Sequence, residues 1–134
     1  MFQYLRDIHV YETDMMGIVH HANYLLLCEE ARVAWCKHHR LLDSTKQSIF
    51  KFTVYETFVR HKAPAKYGDS VIIDLQVEVK KAKLIFEYRI RVNENILVLA
   101  KTTHCSLSED FKILRLDPAL VETVRKEIWT ETWL

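Results

Sequence analysis

Residues 23–39 are apolar on almost every side of a helix. Tyr24, Leu27, Cys28, Ala31, Ala34, Trp35 and His38 share one face at helical spacing, and Leu25, Leu26, Val33 and Cys36 widen it. Glu29, Arg32 and Lys37 mark what remains for solvent. A helix of this kind has to be surrounded rather than laid on a surface, so the rest of the chain must supply its cover.

That cover is β. A first strand is expected over residues 4–11. From residue 49 the period falls to two, with Phe50, Phe52 and Val54 alternating with Lys51, Thr53 and Tyr55. Pro64 interrupts residues 60–67, and Gly68-Asp69 reads as a turn. Val71, Ile73, Leu75, Val77 and Val79 then face one way, with Asp74, Gln76, Glu78 and Lys80 facing the other. Beyond Lys80-Lys81-Ala82-Lys83, the residues Leu84, Phe86, Tyr88, Ile90 and Val92 repeat the pattern. Asn93-Glu94-Asn95 is a hairpin turn into a strand over residues 96–107, and residues 112–116 add a short one. Asp117 caps a last helix opening at Pro118 and running to about Thr130. The class is α+β: an antiparallel sheet that must curl around a long central helix.

Composition narrows the rest. With 134 residues, two Gly and two Pro, the chain reads as a single domain over 1–134 without linkers. A net charge of +1 gives no case for bulk binding to nucleic acid. No apolar run approaches the ~20 residues that cross a bilayer, and the charges near the start are unlike a signal peptide. Cys28, Cys36 and Cys105 lie in apolar stretches, as buried free thiols of a reducing cytoplasm do. No Cys or His spacing suggests zinc, so neither a metal nor a cofactor is expected.

The chemistry concentrates in residues 11–24, Tyr-Glu-Thr-Asp-Met-Met-Gly-Ile-Val-His-His-Ala-Asn-Tyr. Asp14 stands three residues before Gly17 and seven before His21, and the helix follows at once. A helix start offers free N–H groups and the positive end of a dipole. An acid beside such amides can promote attack on a carbonyl whose oxygen the amides hold. Each feature also has a plainer use. Asp14 can bond its own turn, Gly17 can serve only a positive φ, His21 can make a structural hydrogen bond, and Asn23-Tyr24 can anchor the helix.

Thr13-Asp14-x-x-Gly17-x-Val19-x-His21-x-Asn23-Tyr24, followed by Glu29-x-Ala31-Arg32, resembles the hotdog-fold acyl-CoA thioesterases. The similarity is to the 4-hydroxybenzoyl-CoA thioesterase type, and within it to the bacterial enzymes encoded beside the Tol–Pal envelope system. It runs over about residues 8–110. The resemblance implies hydrolysis of thioesters of coenzyme A, or of an acyl carrier protein's pantetheine, by a homodimer or homotetramer with active sites between subunits. It implies Asp14 as nucleophile or general base, His21 as its catalytic companion, and the backbone N–H at position 21 as the carbonyl-polarising donor. Gly17, Val19, His20, Asn23 and Tyr24 are the expected substrate contacts. Close relatives often carry a Tyr four residues before the Asp, where this chain has Val10. Tyr11 stands next to it and, on a strand, would point to the opposite face.

Coenzyme A is polyanionic and needs cations at the mouth of its site. Arg60, His61, Lys62 and Lys66 form one basic group, and Lys80, Lys81 and Lys83 a second at a hairpin tip; Arg60, Lys62 and Lys81 are the chosen contacts. Edge protection is the plainer use of such lysines. Two other functions fit the same fold: an acyl-thioester hydratase or dehydratase, and a non-catalytic acyl-CoA-binding protein.

Overall fold

A computed structural model describes residues 1–41 and 52–134. Strand β1 (Phe2–Asp7) leads into a short 3-10 helix over Val10–Glu12, and helix α1 spans Asn23–His38. Strands β2 (Phe52–His61), β3 (Ser70–Lys80), β4 (Lys83–Val92), β5 (Asn95–Leu107) and β6 (Ile113–Leu114) follow, and helix α2 is Pro118–Arg125. All strands pair antiparallel in the order β1-β3-β4-β5-β2, with β6 on the end of β5. Phe50 and Lys51, part of the expected alternation, lie outside the described residues.

The core forms where two periodicities meet. Ile73, Leu75 and Val77 of β3 lie opposite Ile90, Tyr88 and Phe86 of β4, and all six side chains are buried. Tyr24, Leu27, Cys28, Ala31 and Trp35 are the buried face of α1 in the same cluster. The Trp35 ring meets Phe86 edge-on at 5.5 Å. The all-round cover expected for α1 is not complete within one chain. Leu25 is 41% and Leu26 54% exposed. Arg32, expected in solvent, is half-buried and donates to the Tyr88 hydroxyl at 2.9 Å.

Three expectations are corrected. The first strand ends at Asp7, and Val10 and Tyr11 sit on the 3-10 helix, so strand alternation does not govern where Tyr11 points. Its ring is exposed and stacks on His9 at 5.2 Å. Helix α2 stops at Arg125 rather than near Thr130, because the chain beyond crosses onto the second face of the sheet. There Thr130 donates to Gln76, Gln76 donates to the Glu131 carbonyl at 2.8 Å, and the Trp133 N–H donates to Glu87 at 2.8 Å. The third concerns that face itself. Its polar row is a second interior: Asp74, Gln76 and Glu87 are all buried.

Candidate active site

Asp14 sits at the tip of a miniature hairpin. Thr13 and Val19 bridge as antiparallel partners, and the Asp14 N–H donates to the Ile18 carbonyl at 2.8 Å. The Gly17 N–H closes the turn onto the Asp14 carbonyl at 3.1 Å. Gly17 has φ +78°, the left-handed region, while a Cβ there would meet nothing within 4 Å. Glycine therefore suits the turn, and no described protein group crowds the place of a Cβ. The Thr13 hydroxyl donates to the Val10 carbonyl at 2.7 Å and ties the loop to the 3-10 helix.

The Asp14 carboxylate is divided between two uses. Oδ1 accepts from the Met16 N–H at 2.8 Å and the Ile18 N–H at 3.4 Å, which holds the side chain against its own turn. Oδ2 has no hydrogen-bond partner among the described residues, and Asp14 is exposed. The side chain is thus fixed by one oxygen with the other open.

The chain then runs into α1. The Val19 N–H donates to Ala65 and the His20 N–H to Glu12. The Ala22 N–H donates to His20 Nδ1 at 3.2 Å, which fixes that ring and makes Nδ1 its acceptor nitrogen. Asn23 N–H donates to the His20 carbonyl at 2.9 Å. Between these paired amides, the His21 N–H donates to no described residue. No side chain caps the helix start either. One backbone donor at position 21 is therefore available to a ligand, at the positive end of the helix.

Asp14, Val19, His20, His21, Tyr24 and Lys62 line one pocket of about 400 Å³, together with Ile18, His61, Ala63 and Pro64. The His20 and His21 rings lie 4.3 Å apart. Tyr24 is buried, and its hydroxyl accepts from the Ala65 N–H at 3.0 Å. Burial raises its pKa; the Ala65 bond opposes this, and the charges of Asp14 and Asp69 add to the rise, so the phenol stays neutral. Asn23 is beside the pocket rather than on its wall; its amide donates to the Glu12 carbonyl at 2.8 Å.

His61, which the sequence marks only as one of a basic group, reaches the pocket wall through a β-bulge. Val54 lies opposite His104, but the register slips between Val54 and Glu56, so Thr57, Val59 and His61 fall opposite Thr102, Ala100 and Val98. Uninterrupted alternation from Phe52 and Val54 would carry Arg60 to the helix-facing side. The extra residue exchanges Arg60 for His61. The His61 ring then meets Tyr24 at 5.2 Å, while Arg60 turns away and lies 5.9 Å from the Phe58 ring centre. No local sequence signal marks this bulge. Lys81 is farther off. It follows β3 at the end away from the Asp14 loop, about 33 Å along an extended strand from Ser70. Within one chain it does not join the pocket. Among the described residues, no group of three or more His, Cys, Asp or Glu side chains is placed to hold a metal ion.

An antiparallel sheet against one long helix, with an acid-bearing turn at an uncapped helix start, is the layout of a hotdog-fold enzyme. Residues 8–122 match the thioesterase-like superfamily, and the chain belongs to that family. It is 32% identical over 108 residues to the acyl-CoA thioesterase YbgC of Haemophilus influenzae, covering 76% of each chain. It is 27% identical over 107 residues to a 1,4-dihydroxy-2-naphthoyl-CoA hydrolase of Synechocystis, covering 77% of this chain and 78% of that one. The crystal structure of a 1,4-dihydroxy-2-naphthoyl-CoA thioesterase from Synechocystis superposes with a TM-score of 0.83 at 24% identity, over 93% of this chain and 96% of that one.

Proposed function

We propose that this thioesterase hydrolyses acyl-CoA, or the same acyl group on a carrier protein's pantetheine, at the Asp14 pocket. The observation that carries the proposal is the pairing of two open groups on one pocket: Asp14 Oδ2 and the His21 N–H. The thioester carbonyl oxygen accepts from the His21 N–H, and the helix dipole favours the negative charge that builds there. Two routes use the same atoms. In one, Oδ2 attacks the carbonyl carbon, the C–S bond breaks to release the thiolate, and water cleaves the resulting anhydride. In the other, Oδ2 takes a proton from water, whose oxygen forms the new C–O bond as the thiolate leaves. Both end in a carboxylic acid and a free thiol, and neither needs a metal or cofactor.

His21 and His61 flank this chemistry on the wall of the same pocket, and Lys62 supplies a cation there. The names of the relatives, an acyl-CoA thioesterase and a naphthoyl-CoA hydrolase, support coenzyme A as the carrier. Three buried free thiols suit a reducing cytoplasm. No described helix is long and apolar enough to cross a membrane.

Our reading includes a homodimer formed through β2. That strand ends the sheet order, and Val54, Tyr55 and Phe58 on it are exposed, as are Leu25 and Leu26 of α1. A second copy would cover the apolar surface that one chain leaves open.

The test is thiol release from a panel of aliphatic and aromatic acyl-CoAs and acyl-carrier thioesters, with wild type and Asp14→Asn. The substitution keeps the shape of the turn but removes the charge. Loss of at least about 100-fold in kcat is expected for a group in direct contact with the reacting atoms. Wild-type turnover by folded Asp14→Asn would refute the assignment. Hydration of an enoyl-CoA without hydrolysis would assign the pocket to the hydratase class instead.

A further inference from the structure

Behind the Asp14 hairpin lies an ion cluster that no step above uses. Arg6 of β1 donates from Nη1 to Glu12 Oε1 at 2.6 Å and faces Glu30 of α1 through Nε at 3.0 Å. The Arg6 and Glu12 side chains are only 12% and 7% exposed. Glu30 also accepts from the Tyr4 hydroxyl at 3.3 Å.

Glu12 is engaged at both ends. Its carboxylate accepts from Arg6 and from the His9 N–H at 2.9 Å. Its main-chain carbonyl accepts from the His20 N–H at 3.0 Å and from Asn23 Nδ2 at 2.8 Å. Residues 12 and 20 are thereby closed at the base of the loop that carries Asp14 at its tip. The next amide after His20 is the open one of His21. Burial pushes the Glu12 carboxyl up, but the Arg6 and His9 hydrogen bonds outweigh it and hold its pKa below the usual carboxylate range.

Resting on the thioesterase reading of the pocket, we propose that Arg6 and Glu12 are positioning residues that set the Asp14 carboxylate at its working separation from the His21 N–H. Neither touches substrate. Arg6 fixes Glu12 from the sheet and ties it to α1 through Glu30; Glu12 fixes both legs of the loop. A guanidinium suits this place because its fork reaches two carboxylates from different elements at once. Without the clamp the Asp14 hairpin can move against the helix start, and a displacement near 1 Å costs about 100-fold in rate.

The experiment uses the acyl-CoA turned over fastest in the panel, with Arg6→Gln, Glu12→Gln and the double variant, each checked for native circular dichroism. The expected result is a fall in kcat of about 10- to 100-fold with KM unchanged, the mark of a contribution made in the transition state alone. Because the two act as a unit, the double variant should lose no more than the worse single one. Wild-type kcat in folded Arg6→Gln, a loss confined to KM, or fully multiplicative losses in the double variant would each overturn the proposal. If Arg6→Gln does not fold, Arg6→Lys carries the test: it keeps the cation but not the fork, so kcat should still fall about 10-fold, and wild-type kcat would overturn the proposal. Asp14→Asn is run alongside. Retained activity there would sink the site assignment itself, whereas an inactive Asp14→Asn with a fully active Arg6→Gln would sink only the positioning role.

Discussion

Asp74→Asn is the substitution whose cost the structure specifies best. The Asp74 carboxylate is fully buried on the second face of the sheet. It accepts from Gln3 at 2.8 Å, from Arg89 Nε at 2.9 Å, and from Arg91 Nε and Nη2 at 2.8 and 3.2 Å. Asparagine keeps the shape but replaces one acceptor oxygen with a donor that meets donors, and it leaves two guanidinium groups without their counter-ion. Breaking a buried pair costs about 3–5 kcal/mol. Arg89 and Arg91 retain 28% and 16% side-chain exposure, so water takes over part of the lost interaction and the low end, about 3 kcal/mol, applies. With a urea slope of about 1–3 kcal/mol per molar, the unfolding midpoint should drop by about 1–3 M at neutral pH, both proteins being measured at one concentration.

The pH dependence gives a second check on the same residue. Burial raises the Asp74 pKa, but the hydrogen bonds from Arg91, Arg89 and Gln3 outweigh it, and the folded-state value lies below the ordinary one. A depressed carboxyl stabilises the fold above its unfolded pKa of about 3.9 and loses that contribution as pH falls through the folded value. The gap between wild type and Asp74→Asn should therefore be full at pH 7 and close progressively below about pH 4. A gap under about 1 kcal/mol at neutral pH, the level of an exposed ion pair, would refute the reasoning. So would a gap that stays constant into the acid range.

Two further outcomes follow from the same geometry. Burial pushes the thiols of Cys28 and Cys36 up to about 12, and Cys105 is buried as well. A thiol reagent at pH 8 should label none of the three in native protein and all three in urea; rapid native labelling would contradict the packing. Light scattering should give at least twice the 16.0 kDa chain mass, and Phe58→Asp in β2 should shift it toward one chain. A monomeric wild type at assay concentration would contradict the β2 interface.

What could be read directly was whatever depends on neighbours in the chain. The span of α1, the alternation of β3 and β4, the turn at Asn93-Glu94 and the Asp14–Gly17 loop all follow from spacing and turn chemistry over a few residues. Tertiary structure decided the rest, because it depends on which strand lies beside which. A single extra residue against β5 put His61 rather than Arg60 on the pocket. Gln3, Arg89 and Arg91 converge on Asp74, while the chain beyond α2 covers Gln76 and Glu87; together they made an interior of the polar face of β3 and β4. Arg6 met Glu12 and Glu30 only because β1 packs along α1, with Phe2 against His38 and Arg6 against Glu30. Local pattern tells a side chain's period, but its partners come from register between distant segments, and a slip of one residue reverses every side chain beyond it.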